Sequence, residues 1–130
     1  MLGLVLTTAF AHHVVPVVGT LDTQIVACAG LCTESAWDGT ISGTSTFSLI
    51  SLTDTGLDNV SEYRGNLVIT EDDGHELIGT DDGLWNLETG NFVEELTITQ
   101  GASGTILLWG VLDPVSGVGS THYLGVLRLP

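Results

Sequence analysis

The stretch Tyr63-Arg-Gly-Asn-Leu-Val-Ile-Thr-Glu-Asp-Asp-Gly-His-Glu-Leu-Ile-Gly-Thr-Asp81 decides the fold class. Its first part alternates apolar and polar side chains, with Tyr63, Leu67 and Ile69 on one face, which is the period of a half-buried β-strand. Asp73-Gly74 follows, and an Asp-Gly pair supplies the positive φ angles that a tight hairpin turn needs. Leu77, Ile78 and Thr80 then follow within 75–81, which predicts a returning strand and therefore a β-hairpin.

The same pattern extends outward along the whole chain. No window shows the apolar spacing of a helix, because Gly and Thr interrupt each candidate. Asp82-Gly83 reads as a second hairpin turn. The predicted strands lie near 13–19, 21–28, 38–52, 60–71, 75–81, 83–88, 91–99, 104–112 and 118–129. This even spacing favours an antiparallel meander, closed into a barrel of about eight strands so that no edge is left unpaired.

Domain organisation and compartment follow from the N-terminal region. Residues 13–130 are expected to form one barrel domain. Residues 1–12 are apolar up to Ala9-Phe-Ala11, a small-x-small site typical of secretory signals, but they lack the usual positive start. They are therefore either a signal remnant or an N-terminal strand. Cys28 and Cys32 fit a disulfide-closed loop in an oxidising compartment, so we expect a secreted or periplasmic protein.

The charge balance limits the partners. Sixteen Asp and Glu stand against two Arg, which gives a formal net charge of -14. Binding to the phosphate backbone of nucleic acids requires cationic groups, and so does docking on an anionic membrane surface. Both are excluded, and cations, neutral ligands and other protein subunits remain. A hydrophobic content of 43% excludes an intrinsically disordered chain.

Strand alternation assigns the two faces of the barrel. The predicted interior set is rich in aromatic side chains and comprises Phe47, Leu49, Tyr63, Leu67, Ile69, Ile78, Trp85, Phe92, Leu96, Ile98, Ile106, Leu108, Tyr123 and Leu127. The outer face of the last two strands is also apolar, and it carries Leu107, Trp109, Val111, Leu124 and Val126. Such a face needs a cover, either the N-terminal segment or another subunit, and we expect a homo-oligomer.

The central and C-terminal residues carry a family resemblance. Gly79-Thr-Asp-Asp-Gly-Leu-Trp-Asn-Leu-Glu-Thr-Gly-Asn-Phe92 leads into Glu95-Leu-Thr-Ile-Thr-Gln-Gly-Ala-Ser-Gly-Thr-Ile-Leu-Leu-Trp-Gly-Val-Leu-Asp-Pro114. Over residues 36–129 this order of strands, Gly turns and Thr-rich faces resembles the allene oxide cyclase-like barrel proteins, which are similar in architecture to dirigent proteins and to lipocalins. The resemblance implies an eight-stranded antiparallel barrel with a hydrophobic cavity, often trimeric, and a cofactor-free cyclase or isomerase activity. No catalytic residue of the family is matched to this chain.

The candidate ligand-binding residues are the inward aromatic side chains Phe47, Tyr63, Trp85, Phe92 and Tyr123. A barrel of about eight strands has room for one apolar or oxygenated small molecule, and the two tyrosines can donate hydrogen bonds to its oxygen. The alternative is that these aromatics fill a packed core, in a non-catalytic structural or surface protein that self-associates.

Metal and ion-pair sites receive simpler interpretations. The acidic cluster, which contains His75, consists of Glu71, Asp72, Asp73, Glu76, Asp81 and Asp82. Two neighbouring acidic turns can offer oxygen ligands to Ca²⁺, but the spacing fits no calcium loop, and solvated turns are the expected role. His12 would chelate copper only if cleavage made it N-terminal. Arg64 and Arg128 are expected in ion pairs on the surface or at a subunit contact, and the alternative is that an arginine anchors a carboxylate substrate. We expect no metal and no cofactor.

Overall fold

The computed structural model describes residues 13–130, so the predicted signal remnant or strand at 1–12 lies outside the described residues. Eight strands form in chain order: β1 Val14–Val26, β2 Cys32–Gly39, β3 Gly43–Asp54, β4 Val60–Glu71, β5 Glu76–Asn86, β6 Asn91–Gln100, β7 Ser103–Leu112 and β8 Val118–Arg128. Each strand pairs with the next one in antiparallel fashion, and β8 pairs with β1. The predicted closed barrel of about eight antiparallel strands is confirmed. Within this part of the chain, no helix is long and apolar enough to cross a membrane.

Some predicted strand boundaries were wrong. The runs at 13–19 and 21–28 are one strand, β1. The run at 38–52 is broken by a turn over 40–42, and its first two residues belong to β2, whose residues 32–37 were not predicted as strand. Asp82-Gly83 is not a turn but lies inside β5, opposite Arg64 and Tyr63 of β4. The glycine is needed there for space, since a Cβ at Gly83 would lie 2.5 Å from Cζ of Tyr63.

The inward face agrees with the predicted interior set with one exception. Thirteen of its fourteen residues are buried or half-buried on the inner face. Ile78 was placed wrongly, because Leu77 is the inward residue (2% exposed) and Ile78 lies on the outer face. The misplaced turn at 82–83 caused this error, since it broke the alternation that runs without interruption through β5.

The two ends of the barrel differ in their packing. At the end formed by the turns at 40–42, 72–75 and 101–102, buried apolar side chains fill the interior, among them Ile41, Leu77 and Ala102. Tyr123 of β8 is fully buried there. Its hydroxyl accepts a hydrogen bond from the Ile41 amide (3.0 Å) and lies within donating distance of the carbonyl oxygens of Ile41 (3.0 Å) and Asp38 (3.2 Å). We call this the packed end.

The opposite end, which we call the mouth, is formed by the connections at 27–31, 55–59, 87–90 and 113–117. Half-buried apolar side chains surround it: Leu31, Leu49, Phe92 and Leu112. The predicted disulfide between Cys28 and Cys32 is present and closes the first of these connections. The Leu49 amide donates a hydrogen bond to the Leu31 carbonyl (2.9 Å), which fixes this disulfide loop against β3.

Candidate ligand-binding site

The interior of the barrel contains a cavity between the packed end and the mouth. Its volume is about 70 Å³. Since one water molecule needs roughly 10–15 Å³ of such space, the cavity has room for about five waters or for a compact organic group. Every strand contributes to its lining, with Leu21, Leu67 and Leu108 among the apolar residues. The cavity is therefore smaller than the roughly 300–1,000 Å³ typical of pockets for drug-sized ligands.

Two carboxyl groups and a phenol form one wall of the cavity. Asp81 of β5 and Glu94 of β6 are diagonal neighbours on the inner face, because Gly83 is the residue opposite Glu94. The two carboxyl groups lie close enough for the charge of Glu94 to influence the protonation of Asp81. The Tyr63 hydroxyl of β4 donates to Oε1 of Glu94 at 2.8 Å. Asp81 lies deepest, at mid-height of the barrel, and its residue is 1% exposed.

Burial dominates the electrostatics of this group. Burial, and then the charge of Glu94, raise the pKa of Asp81 well above its ordinary value. The same two causes raise the pKa of Tyr63, so the phenol stays protonated and acts as a donor. Oδ1 of Asp81 is buried and has no hydrogen-bond partner among residues 13–130. Buried polar atoms are rarely left unpaired, so this oxygen marks a position for a donor.

Hydroxyl groups line the opposite side of the cavity, on β1, β2 and β3. Thr23 and Ser35 are hydrogen-bonded to each other through their hydroxyls (2.8 Å). Nε1 of Trp37 donates to Oγ of Ser45 (2.8 Å). These two pairs of side chains are therefore satisfied within the protein, whereas Oδ1 of Asp81 is buried with no partner in the described part of the chain.

Four of the five predicted ligand-binding residues line the cavity: Phe47, Tyr63, Trp85 and Phe92. The Phe47 and Tyr63 rings meet edge to face with centroids 6.1 Å apart. Trp85 reaches past β6 to donate from Nε1 to the Leu112 carbonyl (3.0 Å) at the mouth. Tyr123 is not among the lining residues, since its ring and hydroxyl are held at the packed end.

Asp81 and Glu94 were not predicted as interior groups, although the sequence carries a signal for both. Asp81 is four residues before Trp85 on β5, and Glu94 is two residues after Phe92 on β6, so each carboxylate shares a strand face with an aromatic residue. Both aromatic residues were placed inside the barrel, so strict alternation places both carboxylates inside as well. Assigning Asp81 to an acidic turn concealed this.

The charged groups on the surface behave more simply. Nε of Arg64 forms an ion pair with Oδ1 of Asp82 at 2.8 Å, and both side chains are more than half exposed, so the predicted surface ion pair of Arg64 is confirmed. Asp72 accepts a hydrogen bond from the Ser42 hydroxyl (2.7 Å). Among the residues from 13 onward, no group of three His, Cys, Asp or Glu side chains is arranged to hold a metal ion.

The predicted interface residues form a continuous exposed face. Leu124 of β8 lies between Leu107 of β7 and Val18 of β1 in the register, and all three are about half exposed. Trp109 stacks on His122 on the same face, with ring centroids 5.8 Å apart. The exposed apolar residues of this face are Val14, Val18, Leu107, Trp109, Val111, Val118, Leu124 and Val126. We call this the β7–β8 face.

A larger open groove of about 600 Å³ crosses β1, β2 and β3 near the mouth. Exposed polar side chains such as Asp22, Glu34 and Thr44 form much of its lining. Despite its size, it encloses no unpartnered buried group, so the interior cavity is the stronger candidate site.

Comparison of the chain with models of protein families, with curated proteins and with solved structures finds no match. The observed barrel agrees with the fold that the allene oxide cyclase-like resemblance implies. Membership of that family stays a prediction.

Proposed function

We propose that the protein binds a small molecule in its interior, with Asp81, Glu94 and Tyr63 as the polar contacts. The observation that carries this proposal is the unpartnered Oδ1 of Asp81 in the wall of the interior cavity. Leaving a buried acceptor unpaired costs about 1–3 kcal/mol, which a ligand with a hydrogen-bond donor recovers. Apolar and aromatic walls with a few convergent polar groups are typical of small-molecule sites.

The size of the cavity favours binding over cyclisation. A cyclase of the predicted type has to enclose and fold a long substrate, whereas about 70 Å³ accommodates only a compact group. We therefore propose a small-molecule binding protein, and its disulfide supports export to an oxidising compartment. An isomerase acting on small substrates is the enzymatic form of the same proposal.

Filling the cavity tests this proposal. Thr121 and Thr33 are buried and line it, so Thr121→Leu and Thr33→Leu each add volume inside. Thr80→Leu makes the same change on the outer face of β5. Binding of alcohols and amines with three to seven heavy atoms is measured by saturation-transfer NMR and by the shift in melting temperature.

We expect binding to the wild type and to Thr80→Leu, and at least a tenfold loss of affinity in the two filled variants. Melting curves without ligand show whether each variant is folded. The proposal is overturned if no compound binds the wild type, or if folded, filled variants bind as well as Thr80→Leu does.

We also propose that a second copy of the chain covers the β7–β8 face. Neither β7 nor β8 contains an Asp or Glu, although the chain has sixteen. Copies with a net charge of -14 repel each other at most orientations, so contact is least unfavourable where the acids are absent. Arg128 of β8 and Glu95 of β6, both exposed, place opposite charges at the margin of this face. The oligomeric state in solution tests this.

A further inference from the structure

We infer that the ligand of the interior cavity is a small organic monocation: a primary amine whose ammonium group contacts Asp81 and Glu94 and whose apolar part packs on the aromatic wall. This inference rests on the proposed binding function and deepens it by naming the class of ligand. Four features of the cavity support it.

The first feature is uncompensated charge. Asp81 and Glu94 both line the cavity, and no Lys, Arg or His does so in the described part of the chain. The two arginines point away from it, since Arg64 pairs with Asp82 on the outer face and Arg128 is exposed on β8. A buried charge is stable only when it is paired, so the cavity favours a ligand of opposite sign.

The second feature is the number of free acceptor positions. The single proton of the Tyr63 hydroxyl goes to Oε1 of Glu94, so it does not satisfy Oδ1 of Asp81. An ammonium group has three donors and no acceptor, which matches a wall of carboxylate oxygens. A neutral alcohol has one donor, and it leaves the charge of the wall uncompensated.

The third feature is that the charge of the two carboxyl groups matches a ligand with a single positive charge. Burial and the charge of Glu94 raise the pKa of Asp81, so two full negative charges side by side are disfavoured in this wall. A monocation neutralises this pair. Ca²⁺ prefers six to eight oxygen ligands, more than two carboxyl groups supply.

The fourth feature is the aromatic lining beside the carboxyl groups. Trp85 and Phe92 follow Asp81 and Glu94 toward the mouth, and Phe47 packs against Tyr63. Aromatic faces attract cations and also bury the apolar part of an amine. A volume of about 70 Å³ limits that part to a compact alkyl or aryl group.

Pairs of ligands that differ only in charge test this inference. Straight and branched primary amines of two to six carbons, and the alcohol of each, are titrated at pH 7 by calorimetry. The proteins are the wild type, Asp81→Asn, Glu94→Gln and the control Asp82→Asn, whose changed residue lies on the outer face of the same strand. We expect at least one amine to bind the wild type and Asp82→Asn at least tenfold more tightly than its alcohol does. We expect this preference to be lost in Glu94→Gln, which removes the negative charge of the pair, and weakened in Asp81→Asn, which removes an acceptor oxygen.

The outcomes separate this inference from the proposal on which it rests. If alcohols bind as tightly as amines, the cation inference is overturned while the interior site stands. If neither class binds the wild type, the interior-binding proposal itself fails. If amines bind tightly but equally well to all four proteins, the ammonium group lies elsewhere and the inference is also overturned.

Discussion

Asp81 is a carboxyl group placed where a carboxylate is unfavourable. It lies at mid-height in an apolar barrel, and its neighbours Glu94 and Tyr63 provide one charge and one donor that is already in use. The protonated form is favoured because it is neutral and can donate to Glu94. A side chain with these properties costs stability at neutral pH, and such costs are commonly found at functional sites.

The first prediction concerns the pH dependence of stability. The pKa of Asp81 is higher in the folded chain than in the unfolded chain, where it is about 3.9. Its contribution is therefore complete below about pH 4 and is lost as the pH rises through the raised value, with a slope of about 1.4 kcal/mol per pH unit. Asp81→Asn stays neutral and can still donate to Glu94, so we expect it to gain stability over the wild type as pH rises.

Urea unfolding between pH 4 and pH 9 measures this difference. Asp82→Asn, on the exposed face, is the matched control, and its stability is expected to follow the wild-type curve within about 0.5 kcal/mol. Parallel curves for the wild type and Asp81→Asn would contradict a raised pKa at Asp81.

For individual residues, the sequence was sufficient to predict that the aromatic side chains face the interior, but not that the two carboxyl groups do. Phe47, Tyr63, Trp85 and Phe92 were predicted to face inward because aromatic side chains on an alternating strand belong to the core. Asp81 and Glu94 obey the same alternation, but hydropathy argues against burying them. A close approach across strands, such as that of Tyr63 to Gly83, has no signature in local sequence.

At the scale of elements, the disulfide loop holds one side of the mouth. The bond between Cys28 and Cys32 closes a short loop, and Leu31 within it lines the cavity. The loop is anchored to β3 only through the Leu49 amide and the pairing that starts at Cys32. The disulfide therefore restricts how far Leu31 can move from the cavity.

The second prediction follows from this arrangement. Replacing both cysteines, Cys28→Ser with Cys32→Ser, is expected to lower the free energy of unfolding by about 2 kcal/mol, since the closed loop is only about five residues long. Hydrogen exchange of the Leu49 amide should become faster, because its acceptor is the Leu31 carbonyl.

The Leu112 amide, bonded to the Gly90 carbonyl across the mouth, is the internal control and is expected to change only by the global loss of stability. Equal acceleration at Leu49 and Leu112 would show that the disulfide acts on the whole barrel rather than on the loop.

Turn chemistry alone placed some elements wrongly. Asp38-Gly39 does end a strand, and Gly39 has φ of 123°. Asp82-Gly83 has the same composition but stays extended inside β5, where its glycine makes room for a ring. Local sequence does not distinguish these two roles of glycine, because the role depends on which side chain of the neighbouring strand lies opposite the glycine.

At the scale of the whole molecule, charge and apolar surface are separated. The acids occupy turns and the outer faces of the other six strands, apart from Asp81 and Glu94, while the outer faces of β7 and β8 are free of them. Barrel closure was predictable at this scale, since eight strands with short connections leave no other economical topology. Whether another chain covers the β7–β8 face depends on a second molecule, which the sequence of one does not describe.

The third prediction tests that face. We expect the wild type to sediment as a dimer or larger species at high concentration, and Leu124→Glu and Leu107→Glu to sediment as monomers, because each buries a charge in the contact. Thr46→Glu adds the same charge on the outer face of β3 and should leave the association unchanged. A wild type that stays monomeric at all concentrations would contradict the self-association proposal.

The hydrogen bonds of the Tyr123 hydroxyl have a consequence for the order of folding. This hydroxyl bonds to residues 82 and 85 positions earlier in the chain, and the β1–β8 pairing closes the barrel over a still longer separation. On the ribosome, β1 is made first but stays unpaired along one edge until β8 has been synthesised. Contacts of such long range make folding slow, and the open edge can pair with other chains in the meantime. The last strand made is therefore the one that protects the first from aggregation.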